Sequence, residues 1–259
     1  MQISTKLFNQ QTLDRLSDMH GKIQQNQARI ATGKNILKAS DDPIAAVNIS
    51  AAKEQKTENA RYIENIGRAK SKLELSENAL NQASNLITRI YELTILAEND
   101  TFSVADRVAM KQEVTQLKDS MFEIVNSEDA SGQALFAGYK VNQNAFSRDE
   151  NGYIQYMGDR GNNVVNISEN MTLSLGIDGA SAFLRVPSEN RHKSVFGIIE
   201  AIEDNFEDAN FPKNAISDLQ SAIDHLSLQQ TYIGAHLNKA ELQEVALNRR
   251  QIILSENLS

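Results

Sequence analysis

Residues 66–97 read IGRAKSKLELSENALNQASNLITRIYELTILA. Within them Ile66, Ala69, Leu73, Ser76, Leu80, Ala83, Ile87, Ile90, Thr94 and Ala97 recur at alternating intervals of three and four residues. That spacing places small and apolar side chains along one seam of a long α-helix and calls for a partner helix. Toward the N-terminus the helix reaches back to Ser40-Asp41-Asp42-Pro43. Asp42 there can accept from the free amides of a first turn, and Pro43 lacks the N–H that would go unpaired. Toward the C-terminus Asn99-Asp100-Thr101 forms a turn, and Ser103 with Asp106 three residues on forms a short version of a capping box. A second seam follows at Met110, Val114, Leu117, Met121 and Ile124.

The same signal returns at the end of the chain. Ile216, Leu219, Ile223, Leu226, Gln230, Ile233, Leu237, Ala240, Glu244, Leu247, Gln251 and Leu254 alternate by three and four residues with Gly234 as the one helix-weakening residue. A shorter amphipathic helix is expected over 194–206, on Val195, Ile199, Ile202 and Phe206. The opening helix is thinner. Ile3, Leu7, Leu13, Leu16, Ile23 and Ile30 are interrupted by Gln10, His20 and Gln27, and a break comes at Thr32-Gly33-Lys34-Asn35. So sparse a stripe does not hold a long helix by itself, and the terminal segments are expected to order against neighbouring subunits.

Seven of the twelve glycines fall within residues 132–179, where the pattern changes from helical to short apolar runs between turn residues. Leu135 to Tyr139, Tyr153 to Met157, Val164 to Ile167 and Met171 to Leu175 are strand candidates, and Asn151-Gly152 suits a type I′ hairpin. The expected fold is mainly α with an inserted small β module: an elongated rod of long antiparallel coiled-coil-like helices plus a projecting antiparallel sheet domain. At 1.5 Å per residue a helix over 43–98 spans about 80 Å, whereas a compact sphere of this chain length is about 47 Å across. Four segments are delimited: 1–40, an assembly helix and turn; 41–131, the ascending rod; 132–187, the Gly-rich β module; and 188–259, a short helix and the long returning helix.

Composition narrows function. Twenty-six Lys and Arg against 34 Asp and Glu give a net charge of −8, the wrong sign for binding nucleic acid or an anionic membrane surface. There is no cysteine, which removes thiolate chemistry and Cys-based metal sites. No apolar run reaches the roughly 18 residues of a membrane span, and MQISTKLFNQQ lacks the cationic start and apolar block of a cleaved secretory signal.

Three stretches carry a family resemblance: Met1-Gln2-Ile3-Ser4-Thr5; Ala31-Thr32-Gly33-Lys34 leading to Ser40-Asp41-Asp42-Pro43-Ile44-Ala45-Ala46; and Leu135-Phe136-Ala137-Gly138-Tyr139-Lys140. They resemble the flagellin-like family of the bacterial flagellum, in its hook-filament junction branch. The match covers the first 140 residues well, the sheet segment more loosely and the last helix by pattern. The resemblance implies an extracellular, non-enzymatic adaptor exported without a cleaved signal. Its terminal helices would pack in a tube between the first hook-associated protein and flagellin, beside copies of itself. On this sequence those surfaces correspond to Ile3 through Ile30 and to Ile233, Leu237, Leu247 and Leu254, with Gly33, Lys34, Asp41, Asp42 and Pro43 forming the turn and helix start. Family members continue past such a C-terminal helix into a further apolar segment, so a C-terminal truncation is expected. With a complete C-terminus an export chaperone joins the partners. Flagellin itself is the first alternative, and an unrelated helical-bundle binding protein the second.

Catalytic readings are weak. Gly33-Lys34 is not a phosphate loop, because Asn35 stands where Ser or Thr belongs and Ala28 where the first Gly belongs. His225 and His236 share a helix face but lie three turns apart, about 16 Å, too far for one ion. The pair Asp41 and Asp42 reads as a helix cap, and Asp149 and Glu150 flank a turn. No catalytic residue, metal or cofactor is expected.

Overall fold

The computed structural model describes residues 2–33, 36–98, 102–189, 191–207, 211–256 and 258, with side chains from residue 7 onward. Its elements are α1 (Gln2–Thr32), α2 (Pro43–Ala97), α3 (Val104–Val125), β1 (Phe146–Arg148), β2 (Ile154–Tyr156), β3 (Val164–Ser168), β4 (Met171–Ser174), α4 (Gly179–Phe183), β5 (Val186–Ser188), β6 (Arg191–Lys193), α5 (Val195–Glu203) and α6 (Ala215–Glu256). Two compact units divide the chain differently from the four sequence segments. One is Met1–Arg61 with Leu247–Ser259, the other Tyr62–Ala246; α2 and α6 contribute to both.

In the larger unit all ten seam positions of 66–97 are fully buried. The two hydroxyls among them are satisfied within their own helix: Ser76 Oγ donates to the Lys72 carbonyl at 2.9 Å and Thr94 Oγ1 to the Ile90 carbonyl at 2.8 Å. The facing seam on α6 buries every second position, with Leu219, Leu226, Ile233 and Ala240 at 0% exposure and Ile223, Gln230, Leu237 and Glu244 half-buried between them. Glu244 is held by Lys70 of α2 at 2.9 Å. This pair explains how a carboxylate is tolerated in an apolar stripe. α3 begins in a full capping box: the Asp106 amide donates to Ser103 Oγ at 3.3 Å and the Ser103 amide to Asp106 Oδ2 at 3.0 Å. Asp is therefore long enough to close the box.

The β module is built around rings rather than around a sheet. Phe146 packs against Tyr156, Phe183 and Phe196 with centroids 5.1–5.9 Å apart, and Phe136 meets Phe183 edge-on at 5.3 Å. Burial, with Asp178 nearby, pushes the Tyr156 hydroxyl to about 12. It stays protonated, its one proton directed to the Asp159 carbonyl at 2.6 Å, with the Phe136 carbonyl also within reach at 3.0 Å.

Among the described residues the strands form three separate antiparallel pairs, β1–β2, β3–β4 and β5–β6. The expected antiparallel β module is present, built of separate hairpins, and β5–β6 and α4 were not foreseen. Leu135 to Tyr139 is not a strand. Its carbonyls go to scattered partners, the Phe136 oxygen to the Gly179 amide at 2.8 Å and the Ala137 oxygen to Asp159 at 3.1 Å and Lys140 at 3.3 Å, so no ladder forms. The β1–β2 turn also differs from type I′. The Gly152 amide donates to the Asp149 carbonyl and the Asp149 amide to the Tyr153 carbonyl, closing a three-residue loop with Gly152 at φ +85°. Asp149 Oδ1 selects that loop by accepting from the amides of Asn151 and Tyr153, both at 2.9 Å.

The module is tied to the helices through polar side chains. Asn65 donates to the Asn166 carbonyl of β3, Lys239 to Thr172 of β4, and His225 Nε2 pairs with the Ser181 carbonyl of α4 at 2.9 Å. Asp218, buried on α6, accepts from Ser188 Oγ of β5 and is paired with Lys193 of β6.

Candidate assembly surface

The smaller unit holds the residues that sequence reading assigned to intersubunit packing. From Leu7 to Thr32 no side chain of α1 is buried; Ala28 and Arg29 are half-buried and the rest are exposed. Leu7 is 59% exposed, Leu13 66%, Leu16 56%, Ile23 48% and Ile30 83%. Ile3 belongs to the helix, but its side chain lies outside the described residues. An α-helix of this length carrying large apolar groups with nothing over them is marginal in water, and a partner is the physical remedy.

Two residues that the sequence reading missed define the stripe. Phe8 is 67% and Met19 56% exposed, and with Ile30 they repeat every eleven residues, close to three full turns. At about 100° per residue, Phe8, Met19, Ile30, Ile23 and Leu16 fall within about 80° of arc. Leu7 and Leu13 lie off that arc. The signal was the interval of eleven, which a search by threes and fours passes over. Ile44 and Val47, in the first turns of α2, are also bare, at 78% and 68%.

The turn and helix start are organised by neighbouring carboxylates. Asp42 Oδ1 accepts from the Ala45 amide at 3.0 Å, capping α2 at Pro43. Asp41 Oδ2 accepts from the amides of Leu37 and Lys38, and its Oδ1 from Gln25 Nε2 of α1 at 3.4 Å. Gly33 ends α1 at φ +66°, the conformation of a helix C-cap. Lys34 lies outside the described residues.

The C-terminal assignments need correction at three positions. Ile233 is 0% exposed, Leu247 4% and Leu254 7%, all covered by the chain's own residues. In this conformation their seam closes within the subunit. Leu237 is half-buried. What α6 leaves bare in the smaller unit is Ile252 at 60% and Ile253 at 56%.

Among the described residues no group of three or more His, Asp or Glu gathers in metal-binding geometry, and no helix is long and apolar enough to cross a membrane.

The architecture is that of a long-helix protein with a hairpin module inserted between its central and final helices. The model of the family described as bacterial flagellin N-terminal helical region matches residues 3–141, more than half of the chain, and the protein belongs to that family. The chain is 29% identical over 154 residues to flagellar hook-associated protein 3 of Escherichia coli strain K12, covering 60% of this chain and 49% of that protein. It is 27% identical over 188 residues to flagellar hook-associated protein 3 of Salmonella typhimurium, covering 73% and 58% respectively. It thus spans about half to three-fifths of the length of these relatives. In fold it resembles the flagellar junction protein FlgL of Legionella pneumophila, with a TM-score of 0.73 at 18% identity, covering 84% of this chain and all of that one.

Proposed function

We propose that the chain is a structural adaptor of the bacterial flagellum, joining the hook-associated proteins to the flagellin filament, and that it performs no reaction. The observation that carries this reading is the uncovered stripe Phe8, Leu16, Met19, Ile23 and Ile30 on a helix that buries none of its described side chains. The names of the two hook-associated relatives support the placement. The mechanism is ordering on docking: α1 packs its stripe against neighbouring subunits, and the burial offsets the entropy of fixing the helix. Leu7, Leu13 and Ile3, which lie off that arc, offer further apolar contacts on other faces of the same helix. The partners are further copies of this chain, the first hook-associated protein and flagellin, with an export chaperone before assembly. The site of action is outside the cell.

The test is complementation of a strain deleted for this gene. Such a strain should secrete flagellin monomers without building filaments, a phenotype that a filament subunit could not give. The wild-type gene should restore filaments, and a variant carrying Leu16→Glu and Ile23→Glu should not, although its protein is exported. Filaments restored by that variant would remove the reading. A deletion strain that secretes no flagellin-like subunit at all would favour flagellin instead.

A further inference from the structure

We propose that the pocket between α4 and the β5–β6 hairpin is a docking site for a short acidic peptide segment of a partner protein. Arg160, Arg185 and His192 line this cavity of about 580 Å³ together with Ala180 and Leu184. No carboxylate lines it. The adjoining cavity of about 340 Å³ shares His192 and adds Arg191 and Lys193. Asp218 also lines that second cavity and is paired with Lys193, so the cations left unmatched across the two cavities, in a chain whose net charge is −8, are Arg160, Arg185 and Arg191.

Three of the six Lys and Arg over 132–193 are matched. Arg148 is paired with Asp119 at 2.6 Å, Lys193 with Asp218, and Lys140 donates to the Met157 carbonyl. Arg160, Arg185 and Arg191 are exposed, and among the described residues none of their guanidinium groups makes an ion pair or a hydrogen bond. Of the acids nearest in sequence, exposed Glu189 between β5 and β6 makes no ion pair with these arginines among the described residues, and Asp159 and Asp178 are turned to other work. Asp159 Oδ1 accepts from the amides of Tyr139 and Gly161, both at 2.8 Å, and Asp178 Oδ1 from the Ser181 amide at 2.8 Å. The three forks are left for a ligand.

The chemistry selects among anions. A guanidinium presents two parallel N–H groups that match a carboxylate in bidentate fashion. Sugars and bases are gripped by aromatic faces, and no ring lines the main cavity other than that of His192. Ala180 and Leu184 instead offer aliphatic contact of the kind a peptide side chain uses. The negative charge of the rest of the chain repels a long polyanion at a distance, which favours a short acidic segment acting locally. This site stands apart from the role proposed for α1 and does not depend on it.

The test is fluorescence anisotropy of a labelled hexaglutamate peptide with the full 259-residue chain at low salt, with hexaglutamine as the control. Hexaglutamate should bind and hexaglutamine should not. Arg160→Gln or Arg185→Gln alone should weaken binding by about fivefold or more, and the double variant should bring it to background. Both side chains are exposed, so the thermal melt of each variant should match wild type and separate lost binding from lost fold. Absence of hexaglutamate binding, or equal binding by the double variant, would overturn the proposal. So would stronger displacement by oligogalacturonate, which would assign the pocket to an acidic glycan, or by inorganic phosphate, which would assign it to phosphate.

Discussion

Asn59 of α2 and Gln251 of α6 are joined by a hydrogen bond of 2.9 Å from Nδ2 to Oε1, and the same amide nitrogen donates to the Leu247 carbonyl at 2.9 Å. Asn59 is 2% exposed, and its Oδ1 is buried with no partner. A buried polar group of this kind fixes helix register at a cost in stability. Asn59→Leu should therefore raise the melting temperature, by an amount equivalent to about 1 kcal/mol. The orphan oxygen disappears, while the Leu247 carbonyl keeps its own helical bond and half-buried Gln251 turns to water. A fall in the melting temperature would show that the two bonds outweigh the orphan.

Ser103→Ala removes the acceptor for the Asp106 amide and opens the box at the start of α3. The expected loss is about 1 kcal/mol, and Ser103→Thr, which keeps the hydroxyl that also donates to Asp106, should restore most of it. Chemical denaturation of the three proteins measures both, and equal midpoints would contradict the cap.

Gly138 has φ +72°, and a Cβ placed on it would lie 2.2 Å from Asp159 Oδ1 and 2.5 Å from the Asp159 carbonyl oxygen. Gly152 has φ +85° with nothing within 4 Å. Gly152→Ala should cost only the backbone strain, about 1–2 kcal/mol. Gly138→Ala must also displace the loop that Asp159 organises and should cost clearly more, about 3 kcal/mol or above. Parallel melts that rank the two the other way would mean that the Asp159 loop yields freely.

Burial is the main cause holding the Glu200 carboxyl above its usual range, with Glu203 and Asp204 adding to it, against the Ile154 amide and Lys118, which favour the charged form. An acid whose pKa is raised by folding binds more protons folded than unfolded. Its ionised form therefore weakens the fold, and stability falls as pH rises from the ordinary glutamate range through the raised value. Glu200→Gln keeps an acceptor for the Ile154 amide and loses the charge. It should melt higher than wild type at neutral pH, and the gap should close on acidification into the ordinary carboxylate range. A gap constant with pH would assign the effect to packing.

The helical seams were legible because ten positions of α2 and twelve of α6 obey one interval rule, and buried positions such as Leu73 and Leu226 follow it. The hairpins were harder. Three-residue strands such as Phe146–Arg148 are too short for alternation to register, and Leu135 to Tyr139 is apolar because Phe136 plugs a ring cluster, a reason indistinguishable in sequence from a strand. The interface reading met a different obstacle. An apolar residue at seam spacing looks the same whether its partner is the chain itself, as for Ile233, or absent, as for Ile23. Only the folded chain separates them by what lies over each side chain.

The division of the module into three unshared hairpins has an evolutionary side. Strands of three to five residues offer too few free backbone groups to recruit a stray chain edge to edge. Because no ladder is common to two hairpins, lengthening or trimming one tip leaves the pairing of the others untouched. Such a module can change its outline one finger at a time while the helices beneath keep their register.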